Sequence, residues 1–124
     1  MKILIFFVLM CSFCFAENYT ITQTMGTSES EYVISIGNPA KIDSDRDGEK
    51  KTIELSFENK KFIEKRLKKI ERMHGHEIRF CPRNYIQLVN QKKAKSIIAC
   101  GNSTTEIATS LRQLIRVINV YSVN

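Results

Sequence analysis

Two stretches of this chain are apolar along one helical stripe and polar elsewhere, and most of the remainder alternates. In the first, Phe62, Ile63, Leu67, Ile70 and Met73 recur at helical spacing; Asn59 is placed to cap the start and Gly75 to sit just past the end. In the second, Ile107, Leu111, Leu114, Ile115 and Ile118 form the stripe behind a Ser103-x-x-Glu106 capping box. A one-sided helix has to bury its stripe against another layer. The runs "YVISI" (32–36), "TIELSF" (52–57), "HEIRFC" (76–81), "YIQLVN" (85–90) and "SIIAC" (96–100) read as strands, several with the period-two alternation of a half-buried strand. In "TIELSF" the inward side is Ile53, Leu55 and Phe57. "VYSV" (120–123) is expected as a last short strand. Strands, helix, strands, helix is an α+β order. It predicts two helices packed on one face of a small, mostly antiparallel sheet.

Residues 1–16, "MKILIFFVLMCSFCFA", have the layout of a secretory signal peptide, with Lys2, an apolar run from Ile3 and small residues at the end. The apolar run is short for a membrane span, which takes ~20 residues. Cleavage is expected after Ala16, leaving no transmembrane anchor and an exported chain, periplasmic or secreted. Residues 17–31 are expected as an N-terminal arm ("NYTITQT", at most a marginal strand) and a polar linker ("MGTSESE"), and residues 32–124 as one α+β domain. Cys11 and Cys14 leave with the signal. Cys81 and Cys100 remain, and in an oxidising compartment they are expected to form one disulfide. The bridge closes a loop worth about 3 kcal/mol in the chain-entropy model.

Removing Lys2 takes the net charge from +6 to +5 (six minus one), so the chain stays basic and suits an acidic partner. Most of that charge lies on the polar side of the first helix. Lys61, Lys65, Lys68, Lys69 and Arg72 make a candidate partner-binding face, with Lys60 beside them. The bland alternative is a solvated helix face. The chain has no Trp and no aromatic interleaving of its basic residues, which argues against nucleic acid.

Residues 43–54, "DSDRDGEKKTIE", match the spacing of an EF-hand calcium loop. Asp43, Asp45, Asp47, Glu49 and Glu54 are the candidate ligands, with Gly48 at the sharp bend. The flanks do not fit. Gly37 and Pro39 bar an entering helix, the chain leaves the run as a strand, and Arg46, Lys50 and Lys51 oppose the negative charge. The run is expected to be a turn in which Asp side chains bond nearby amides and Gly48 supplies a positive φ. No cofactor is expected, with weak, structural calcium binding as the alternative. His74 and His76 form one H-x-H pair with no third histidine, a poor metal signal; His74 fits a helix C-terminus. No pairing of acid and base residues marks an enzyme.

From residue 52 onward, the pieces "TIELSF", "KKFIEKRLKKIERM", "GHEIRF", "SIIACGNSTTEIATSLRQLIRVI" and "VYSV" follow one another in a telling order. Over residues 52–124 this resembles the small periplasmic gate domain of secretins and of TonB-dependent signalling receptors. The resemblance implies a protein–protein module in an envelope assembly and carries no catalytic residues. The expectation is therefore a non-enzymatic protein-binding module, an accessory subunit of a bacterial envelope secretion, pilus or transport assembly. The alternative is a periplasmic immunity protein or enzyme inhibitor.

Overall fold

The alternating runs pair into a single sheet. The structure is a computed structural model that describes residues 17–73 and 81–123. Their order is β1 (Glu17–Met25), β2 (Ser28–Ile36), β3 (Lys41–Arg46), β4 (Glu49–Glu54), α1 (Phe57–Glu71), β5 (Asn84–Asn90), β6 (Lys95–Cys100) and α2 (Glu106–Val123). The strands lie side by side as β4-β3-β2-β1-β5-β6, and every neighbouring pair is antiparallel. The fold is α+β, and a disulfide joins Cys81 to Cys100.

Register puts the apolar residues on one face. Tyr19 lies opposite Ile34, Ile34 opposite Ile42, and Ile42 opposite Ile53. On the other side of β1, Ile21 lies opposite Leu88, and Leu88 opposite Ile97. These residues share one cluster with Ile63, Leu67 and Ile70 of α1 and with Leu111, Leu114 and Ile118 of α2. Each fully buried Ile or Leu contributes about 1.5–3 kcal/mol. The opposite face of the sheet carries Thr20, Thr22 and Thr24 of β1, Glu31 and Val33 of β2, and Asp43 and Asp45 of β3. Tyr32, on the core face, donates its hydroxyl to Asn119 Oδ1 of α2 at 3.2 Å, tying sheet to helix.

Several expectations are corrected. Residues 17–31 are not an arm and linker. Residues 17–25 are the strand β1, flanked on both sides by β2 and β5, and Tyr19 and Ile21 are fully buried. The run looks marginal because a strand flanked on both sides needs little apolar content of its own; its ladders hold it. The supposed linker is a turn, with Gly26 at φ 65°, followed by the polar start of β2. The strand expected over 52–57 ends at Glu54, because Ser56 caps α1 by accepting from the Asn59 N–H at 3.2 Å. The cap is thus Ser56, not Asn59. Phe57 begins the helix and is 70% exposed; Phe62, expected in the stripe, is 40% exposed. At α2, Thr105 rather than Ser103 caps the helix, its Oγ1 accepting from the Ala108 N–H at 3.4 Å. Residues 120–123 continue α2 instead of forming a strand, since nothing interrupts the helical pattern there. The signal segment, Gly75, His74, His76 and most of the strand expected over 76–81 lie outside the described residues.

Candidate functional site

The acidic run is a β-hairpin. Arg46 faces Glu49 across a two-residue turn of Asp47 (φ 54°) and Gly48 (φ 90°), the Asp-Gly chemistry that such turns demand. Asp43, Asp45, Glu49 and Glu54 are spread along the two extended strands, and Asp47 sits in the turn between them. Asp43 Oδ1 accepts from Thr52 Oγ1 at 2.7 Å, and Asp45 Oδ1 from the Gly48 N–H at 2.9 Å. Asp47 accepts twice, from the Glu29 N–H at 3.0 Å and from Ser28 Oγ at 2.9 Å. The Glu29 amide, then the Ser28 hydroxyl and the Arg46 charge, hold its carboxyl below the usual aspartate range. Glu49 sits on the opposite face of β4 from Glu54, and Glu54 lies at the far end, opposite Lys41. Among the described residues no group of three or more His, Cys, Asp or Glu is arranged to hold a metal ion.

The basic residues of α1 do share a surface. Its buried stripe of Ile63, Leu67 and Ile70 turns Lys61, Lys65, Lys68, Lys69 and Arg72 outward, all exposed. Lys68 pairs with Glu64 at 3.2 Å; the other four have no carboxylate partner among the described residues. The feature that sequence reasoning missed is aromatic. Lys61 Nζ stands 5.1 Å from the centre of the Phe57 ring, and the Arg66 guanidinium 4.8 Å from that of Phe62. Both pairs are one helical turn apart, so they lie along α1 as two stacked units. Arg66 also donates to Gln113 Oε1 of α2 at 3.4 Å, which fixes it against the second helix. The available signal was the position of Phe62 at the edge of the stripe, next to Lys61 and one turn before Arg66.

A third cluster gathers around the buried side chains of Asn90 and Tyr19. Asn90 is 1% exposed and donates to Glu71 Oε1 at 2.8 Å, while its own Oδ1 accepts from the N–H groups of Lys92 and Lys93. Lys93 Nζ lies 3.8 Å from Glu71 Oε2. Tyr19 donates to Glu17 Oε2 at 2.9 Å, and burial, then its bonds to Glu71 and Glu17, push its phenol far above the ordinary range. With every polar group satisfied, the cluster pins the end of α1 to β1 and to the β5–β6 turn. Arg112 plays a similar part at the other end, donating to the carbonyls of Gly101 (3.0 Å) and Ser103 (2.7 Å) in the loop before α2.

No described helix is long and apolar enough to cross a membrane. Compared with known proteins, the chain matches no protein-family model, no curated protein and no solved structure.

Proposed function

We propose that this chain is a small exported, non-enzymatic protein-binding module whose partner presents an acidic surface to the outer face of α1. The observation that carries this is the pair of exposed phenylalanines, Phe57 and Phe62, each stacked with a cation on a basic helix face. Exposed lysines alone steer a partner but anchor it weakly, because surface ion pairs contribute only about 0–1 kcal/mol. A large ring that is desolvated on docking supplies what the charges do not, and aromatic residues and Arg dominate the energetics of interfaces. The surrounding Lys61, Lys65, Lys69 and Arg72 would set the sign of the partner and speed the encounter. The disulfide suits an oxidising compartment. We take the host to be an envelope secretion, pilus or transport assembly, the setting that the gate-domain resemblance implies.

The test is comparative capture. The oxidised protein and its Phe57→Ala/Phe62→Ala variant are immobilised and exposed to detergent-solubilised envelope. A stoichiometric partner held by the first and lost by the second supports docking through α1. Retention of the same partner by both variants would sink it. Recovery of a single hydrolase or toxin, with its activity blocked, would instead favour the inhibitor alternative.

A further inference from the structure

β4 ends the sheet, and among the described residues nothing pairs with its outer side. The two-residue turn fixes which of its backbone groups are free. Arg46 and Glu49 close the hairpin as a hydrogen-bonded pair, so Lys51 and Ile53 also bond inward to β3. The N–H and C=O groups of Lys50, Thr52 and Glu54 therefore point away from the sheet. Their side chains are exposed and lie on the sheet face opposite the helices. An unpaired edge is a template for another strand.

We propose that the strand it takes is β4 of a second copy of this chain, antiparallel and centred on Thr52. Charge complementarity selects this occupant. In that register Lys50 of each copy faces Glu54 of the other, and Thr52 faces Thr52. Within one copy Lys50 already lies opposite Asp45, and Glu54 opposite Lys41. Across the junction the row then reads Asp45, Lys50, Glu54, Lys41, with the sign alternating at every step. Centring on Lys51 would set two lysines against each other. Centring on Ile53 would place Glu54 against Thr52 and leave Lys50 outside the pairing. Edge lysines usually discourage such contacts, but here each one meets a glutamate. On the helix side, Lys51 of each copy faces Ile53 of the other. A groove of about 480 Å³ opens there, lined by Ile53, Asn59, Tyr121 and Ser122, and gives the lysine stem room. The interface is isologous, so one two-fold axis closes it and the two sheets become one. It uses β4 and not the outer face of α1, so it stands or falls separately from the docking proposed above.

The experiment is sedimentation of the exported, oxidised protein from roughly 1 μM to 1 mM, a range that brackets weak to moderate association. A monomer–dimer equilibrium is expected. K50E and E54K are each expected to weaken the dimer roughly tenfold or more, because each sets like charges opposite one another twice. The double variant K50E/E54K restores every opposite-charge contact across the two-fold and is expected to return to within a few-fold of the original. Thr52→Pro removes an outward N–H and keeps the backbone ladder to β3, losing there only the side-chain bond to Asp43, and is expected to give a monomer with an unchanged circular dichroism spectrum. A monomer at every concentration overturns the proposal without recourse to any variant. A double variant no better than its parents overturns it too.

Discussion

Asp47 stands at the tip of the first hairpin, in a left-handed conformation, with two hydrogen bonds back to β2. Because those bonds lower its pKa in the folded protein, they stabilise the fold only while the carboxylate is charged. That stabilisation is complete above the unfolded value of about 3.9 and is lost as pH falls through the lower folded value. Asp47→Asn keeps a side chain that tolerates positive φ but loses the charge. The variant is expected to melt below the original at neutral pH, with the deficit constant down to about pH 5 and shrinking below about pH 4. Thermal melts across pH check this; a deficit that persists to the lowest pH would contradict it. The turn was legible from its Asp side chains and from Gly48, which supplies the positive φ; the strand before it, β3, was not, because its residues Asp43 and Asp45 are poor strand formers. The bonds from Asp47 to β2 were not, since they cross 18 and 19 positions. The Tyr19, Glu71 and Asn90 cluster was hidden for the same reason. Its members lie on three elements, and no local spacing joins them.

At the scale of elements, α1 separates residues that hold the fold from residues that face outward. Leu67 is fully buried, and Leu67→Ala is expected to cost about 2–5 kcal/mol. Phe62→Ala, two-fifths exposed, is expected to cost far less, close to the ±0.5 kcal/mol of ordinary surface changes, while still reducing partner capture. Urea melts of the two variants, set beside the capture experiment, test the division; a large loss of stability at Phe62 would count against it. The stripes of both helices were readable because their period differs from that of the strands. Helix ends were less readable. Ser56, Asn59, Ser103 and Thr105 are all acceptable caps, and the choice depends on where the preceding strand lets go. β1 was the hardest element. Its sequence has little apolar content, and its identity as a strand comes from the two neighbours that pair with it.

Across the whole molecule, the register sorts charge as well as apolar residues. The helix layer carries the lysines of α1, while the open side of the sheet near β2 and β3 carries Glu29, Glu31, Asp43 and Asp45; Glu29, Glu31 and Asp45 border, with Asp47, a shallow hollow of about 310 Å³. Composition showed the net charge; the separation became visible only with the strand pairings. The disulfide acts at this scale too, tying the approach to β5 to the end of β6, 19 positions on. Cys100→Ser is expected to lower stability by about 3 kcal/mol, a large share of the total for a domain this size. Chemical denaturation with and without reductant measures it; equal stability of the two forms would contradict the expectation. The placement of β1 has a consequence in time. The chain is synthesised from its N-terminus, so β1 to β4 can form a meander while β5 is still to come. Through that interval β1, later interior, is a bare margin from Tyr19 to Met25, waiting for residues Asn84 to Asn90 that have yet to be made. Such late closure between distant segments slows folding and leaves a nascent chain open to mispairing. A chain stopped before β5 would lack the partner for its own middle strand, and would be an early target for chaperones and proteases.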